Sequence, residues 1–218
     1  DAARDITTQV ALTIWQDVYN LKQSLLMSEA QAAGISTSAS AGKGMTLFVD
    51  GFTDKQSALL TNLLEELSPS VDEQSFLQAK DRYIRNIANI QKQFAVRQIG
   101  GAFAKVAHKD KFEDSALIDA ATAMSLADFN KVINKVVKHN QPRVFAFGNY
   151  STNDLEQVAS VVSKALGSDR QETSFAKTVL LQPKPGQVLS YQKDIAAADI
   201  AVFDLHFHGD KGYKSLAT

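Results

Sequence analysis

Four histidines, His108, His139, His206 and His208, are the side chains of this 218-residue chain best suited to metal or proton-transfer chemistry. Three residues near the end of the sequence, Asp204, His206 and His208, recur at every second position. On a strand that period puts all three side chains on one face, where a carboxylate and two imidazoles form an O/N/N set able to hold zinc or iron. No fourth ligand accompanies them. The competing description is a polar strand face with solvated or hydrogen-bonded imidazoles, and it is preferred for that reason, so no metal ligand is assigned.

Other chemistries fare no better. Serine, histidine and aspartate are all present, yet no G-x-S-x-G elbow singles out a nucleophile. The chain has no cysteine, which excludes disulfides, thiolate metal sites and a cysteine nucleophile. Gly42-Lys43-Gly44 lacks the G-x-x-x-x-G-K-S/T spacing of a phosphate cradle and lies between two strand-like runs, so it reads as a turn. Lys105, His108, Lys109 and Lys111 are diluted by Asp110, Glu113 and Asp114 and carry no interleaved aromatic platform, which leaves a solvated loop. The pairs Glu65-Glu66 and Asp72-Glu73 sit at helix ends, where capping and solvation account for them. No catalytic or cofactor-binding residue is assigned.

Composition bounds the partners. Apolar residues make up 44% of the chain and 23 basic side chains face 24 acidic ones, for a net charge of −1. There is no overall electrostatic pull toward nucleic acid or an anionic membrane, and no apolar run approaches the roughly 20 residues of a spanning helix. The length suffices for one substantial core or one and a half small ones.

The elements that would position any site are well marked. Residues 7–33 read as a helix with Val10, Ile14, Val18, Leu21 and Leu25 as its stripe and Trp15 and Tyr19 flanking it. Gly34 stands where a helix end wants a left-handed residue. Ile35, Thr37, Ala39 and Ala41 then alternate with serines, Gly42-Lys43-Gly44 turns, and Met45, Leu47 and Val49 alternate with Thr46, Phe48 and Asp50, which predicts a hairpin. Thr53 with Gln56 reads as a capping box for a helix carrying Leu59, Leu60, Leu63, Leu64 and Leu67, stopped by Pro69. Ser70 with Glu73 predicts the start of a longer helix whose stripe is Phe76, Tyr83, Ile87, Ile90 and Phe94, broken or kinked at Gly100-Gly101 and resuming over 102–107. Ser125 with Asp128 opens a helix through Phe129, Ile133 and Val137, and Pro142 starts a buried strand that ends at Gly148. Ser151 opens a last helix with Leu155, Val158, Val162 and Leu166 inward, ended by Gly167.

This order predicts an α+β fold with helices packed on one face of a mainly antiparallel sheet. Residues 1–167 read as one domain and 168–186, with Pro183 and Pro185, as a linker. Residues 187–218 contribute strand-like stretches that cannot bury a core alone, so they read as the start of a following, truncated domain.

The passage Ala33, Gly34, Ile35, Ser36, then Gly44, Met45, Leu47, Gly51, Phe52, Asp54 and Lys55 resembles one found in the insulinase/pitrilysin (M16) family of zinc metallopeptidases. The run 143–149, Arg-Val-Phe-Ala-Phe-Gly-Asn, is similar to that family's strand ending in Gly-Asn. The likeness covers about residues 5–167. It implies a LuxS/metallohydrolase-type domain of the non-catalytic C-terminal half, the third domain and the start of the fourth, with the strands preceding its first helix missing.

The family's zinc sits on an H-x-x-E-H helix, in which two imidazoles one turn apart bind the metal and the glutamate activates water. This sequence contains no such segment, and the resemblance implies that zinc belongs to another domain of the parent, with none held here. It also implies a wall that helps enclose peptide or small protein substrates, a catalytic N-terminal half of the same chain as partner, and a bacterial periplasmic location. A non-peptidase scaffold or partner subunit of the same domain type, acting in protein-protein association, is the alternative.

Overall fold

The computed structural model describes residues 5–167 apart from Gln91, Lys109 and Asn140. Asp204, His206, His208, the expected linker and the strand-like stretches after it lie outside the described residues. Two compact units divide the chain, Asp1–Asn86 with Phe112–Lys177, and Ile87–Lys111 with Thr178–Thr218.

In the first unit, α1 (Ile6–Lys22) is the spine. Val10, Ala11, Leu12, Ile14, Trp15, Val18 and Tyr19 are all buried. That is wider than a single stripe, because α6 (Asp114–Ala123), α7 (Leu126–Lys138) and the hairpin strand β1 (Ile35–Ala41) all pack on the helix. Trp15 and Tyr19, expected at the flank, are among the largest fully buried side chains, with ring centroids 4.9 Å apart. Leu21 and Leu25, expected in the stripe, are exposed. The helix breaks between them at Gln23, whose φ of −89° and ψ of 3° leave the helical region, and α2 (Ser24–Ala32) continues from there. The break rotates the stripe and takes Leu25 out of it.

Trp15 and Tyr19 also do polar work. The Trp15 indole N–H donates to the Leu67 carbonyl at 2.8 Å and the Tyr19 hydroxyl to the Leu63 carbonyl at 2.6 Å. Leu63 lies in the last turn of α3 (Gln56–Glu65), where a helix leaves its C=O groups without internal partners, and Leu67 lies two residues beyond it. Two large rings thus bury apolar surface and close a helix terminus together.

The hairpin is as expected. β1 pairs antiparallel with β2 (Met45–Gly51), from Ile35 opposite Gly51 to Ala41 opposite Met45. Among the described residues this two-stranded sheet is the only one, so the fold is α+β but mostly helical. The expected buried strand from Pro142 to Gly148 is corrected: residues 141–147 belong to no strand, and Val144, Phe145 and Phe147 are 54%, 90% and 87% exposed. An apolar run forms a strand only where a ladder and a cover are at hand, and no described strand pairs with this run.

Two helix starts also differ from expectation. A single 3₁₀ turn, Thr53–Lys55, precedes α3, so the helix opens at Gln56 with Lys55 before it, and the Gln56 side chain bonds Gly51 and Tyr150. Asp72, in place of Ser70, caps α4 (Glu73–Ile90), its carboxylate accepting from the Ser75 amide at 2.8 Å. In α4, Phe76 and Tyr83 are buried as expected, and Phe76 meets Phe129 of α7 at 5.4 Å between centroids. The helix α6 carried no expectation, since its alanines give no contrast between faces. The capping boxes of α7 (Ser125 with Asp128) and α8 (Ser151 with Asp154; Thr152–Leu166) are both complete. No α8 side chain is fully buried, so Leu155, Val158, Val162 and Leu166 form a face that α3 covers in part.

The second unit contributes the end of α4 and α5 (Ala95–Ala107) to the described residues. The chain breaks before Phe94, which is 87% exposed, and α5 then runs straight through Gly100-Gly101. A glycine costs a helix interior only about 1 kcal/mol, whereas the Gln98 side-chain amide fixes the break by donating to the Gln93 carbonyl at 2.7 Å.

Candidate functional site

Gly34, Gly51 and Phe52 of the motif that spans the hairpin come together at the end opposite its turn. Gly34 has φ +81° and ends the α2 segment as expected, and Gly51 has φ +135° at the end of β2. The Phe52 ring lies against Gly34, where a Cβ would meet its Cε2 at 3.0 Å, yet 74% of Phe52 remains exposed. Phe48, on the outward face of β2, is 55% exposed.

Gln56 joins this end of the hairpin to a distant part of the chain. Its side-chain N–H donates to the Gly51 carbonyl at 2.9 Å, and its side-chain oxygen accepts from the Tyr150 hydroxyl at 2.7 Å. Only 7% of Gln56 is exposed. Tyr150 follows the exposed run that carries Val144, Phe145 and Phe147. The Thr53–Gln56 interval marks Gln56 as a cap candidate and nothing marks Tyr150; the signal for the pair is their place beside Gly51 and Gly148.

Among the described residues no group of three or more His, Cys, Asp or Glu side chains converges as a metal site would require. His108 follows α5 and His139 follows α7, each as a helix C-cap. The perturbed acids are structural. The Asp128 and Asp154 carboxyls are held below the ordinary range, first by the hydroxyls of Ser125 and Ser151, and Asp72 likewise by Ser75. The shifted phenols are buried core groups: Tyr83 is pushed up to about 12, by burial first and by the Asp114 carboxylate second. No described helix is long and apolar enough to cross a membrane.

The described residues thus form a mostly helical α+β unit with one hairpin, its strand pair bounded by the positive-φ glycines Gly34 and Gly51. Residues 1–120 match the family domain described as the middle or third domain of peptidase M16, and the chain belongs to that family. It is 28% identical over 127 residues to the insulin-degrading enzyme of Drosophila melanogaster, a match covering 56% of this chain and 12% of that protein. It is 24% identical over 206 residues to protease 3 of Shigella flexneri, covering 93% of this chain and 21% of that one. The crystal structure of pitrilysin shares the fold, with a TM-score of 0.73 at 23% identity over 78% of this chain and 18% of its own. The chain therefore spans about an eighth to a fifth of the length of the curated relatives it matches.

Proposed function

We propose that this chain is a non-catalytic portion of a pitrilysin/insulysin-like zinc metalloendopeptidase and helps to enclose and bind peptide or small protein substrates. The observation that carries this reading is a third-domain match in a sequence without H-x-x-E-H. In this reading residues 1–167 are one inactive domain of the LuxS/metallohydrolase type, with helices on one face of a mainly antiparallel sheet. Residues 168–186 are a linker and 187–218 begin the next domain. By the family resemblance the zinc and the hydrolytic step belong to the catalytic N-terminal half of the parent, and this chain acts by shape and by its exposed apolar surface; among the described residues no three His, Cys, Asp or Glu side chains converge.

The test is peptide cleavage by the full-length parent, with and without a chelator, beside the 218-residue chain alone. Chelator-sensitive cleavage by the parent with none by the chain alone is the expected result. Inactivity of both would favour a scaffold acting in protein-protein association, and activity of the chain alone would overturn the reading.

A further inference from the structure

Asp50-Gly51 is the only Asp-Gly or Asn-Gly step in the 218 residues. Such a step is where a main-chain nitrogen most easily reaches the side-chain carboxyl before it, because glycine has no Cβ to obstruct the approach and admits backbone angles closed to other residues. Attack of the Gly51 nitrogen on Cγ of Asp50 closes a succinimide ring, and the amide proton and the carboxyl hydroxyl depart together as water. Water then reopens the ring at either carbonyl, which restores aspartate or leaves isoaspartate, whose main chain runs through the former side chain. The balance is one water out and one water in.

Three features of the fold single out this step. The Asp50 side chain is exposed, and among the described residues no hydrogen bond or ion pair engages its carboxylate. Asp5, Asp72, Asp128 and Asp154, by contrast, each cap a helix. The Gly51 amide is also not bonded to β1. In an antiparallel ladder, pairs that exchange main-chain hydrogen bonds alternate with pairs that do not. The Ala39 carbonyl accepts from Asn20 at 3.1 Å and the Ala41 amide donates to Gln16 at 2.8 Å, so both face away from β2. By register the same holds for the pair Ile35 and Gly51, and the Gly51 carbonyl is accordingly turned to Gln56. Finally, glycine is fixed at position 51, since a Cβ there would overlap the Gly34 carbonyl.

We propose that Asp50 is a modification site, isomerising through the succinimide to isoaspartate and thereby releasing the end of the hairpin opposite its turn. Isoaspartate adds one main-chain atom between residues 50 and 51. The Gly51 carbonyl holds the Gln56 amide and the Phe52 ring lies on Gly34, so the added length displaces both contacts together. The carboxylate freed on the Asp50 main chain is a substrate for the class of S-adenosylmethionine-dependent methyltransferases that act on isoaspartyl groups.

The 218-residue chain, incubated at neutral pH and physiological temperature, tests this. Isoaspartate is located by methyl transfer from labelled S-adenosylmethionine and by fragmentation mass spectrometry of the digest. The expected result is more isoaspartate at Asp50 than at any other aspartate, and loss of that signal in Asp50→Glu, whose longer side chain closes its ring far less readily. The isomerised fraction, separated by chromatography, should have a lower urea midpoint than unaltered chain. Accumulation only in chain unfolded by urea would show that the fold protects the step and would overturn the proposal, as would a signal that persists in Asp50→Glu. An unchanged midpoint of the isomerised fraction would overturn the release of the hairpin end.

Discussion

The carbonyl of Gly34 occupies the space that a side chain on Gly51 would need. A Cβ at Gly51 would stand 2.3 Å from that oxygen and 2.9 Å from the Ile35 Cα, at a φ of +135°. Both neighbours are backbone and cannot swing aside, so Gly51→Ala combines conformational strain with overlap and should cost at least about 2 kcal/mol. A Cβ at Gly44 meets nothing within 4 Å, and its φ is not positive, so Gly44→Ala should stay within about 0.5 kcal/mol. Urea midpoints at unchanged slope measure both.

Removing one buried donor from α1 should cost more than removing surface. Tyr19→Phe leaves the Leu63 carbonyl without its partner at little change in volume, and a loss of about 1–3 kcal/mol is expected. Trp15→Phe removes the bond to Leu67 and also leaves space in the core, so its loss should be the larger. Chemical denaturation with Tyr150→Phe alongside provides a scale, since Tyr150 is only half-buried.

The pH profile should fall at both ends. Asp72, Asp128 and Asp154 ionise more readily folded than unfolded, so their contribution is present above the ordinary carboxylate value of about 3.9 and fades as pH drops through their depressed values. Tyr19 and Tyr83 hold their protons more tightly when folded, by burial first. Their contribution is intact below about pH 10 and is lost as pH rises through the raised values, near 12 for Tyr83. Melting temperature against pH, with Tyr19→Phe flattening the alkaline limb, checks the signs.

Ser125→Ala and Ser151→Ala each remove half of a reciprocal cap and should cost about 0.5–2 kcal/mol. Each should also shrink the acid dependence, because the serine hydroxyl is what holds the paired aspartate down. Acid titration of the variants by circular dichroism reads both effects.

Residues whose signal is local were legible from sequence: the Gly34 helix end, the alternating hairpin, and the caps at Ser125 and Ser151. Residues whose role depends on distant neighbours were not. Trp15 and Tyr19 look like the flank of a stripe until helices pack on both sides of α1, and the break at Gln23 leaves no mark in the spacing of Leu21 and Leu25. The 144–147 run shows the converse, a strand pattern whose ladder no described residue supplies. Gln56 follows Thr53 at the interval of a cap, and nothing in that local spacing announces that its amide bonds Gly51 and the distant Tyr150.

Lys80 lies on α4, half-buried, with its ammonium donating to the carbonyls of Thr122 and Met124 at 2.9 and 3.0 Å and standing 5.7 Å from the centre of the Phe76 ring. One amine thereby closes the end of α6 and pins the α6–α7 corner to α4. Its chemical accessibility reports on that corner: in amine labelling with a small acylating reagent, Lys80 should lag an ordinary surface lysine for as long as the three helices stay together, and catch up when they part. The chain thus carries its own footprint for the joint between α4, α6 and α7, readable by mass spectrometry without any substitution.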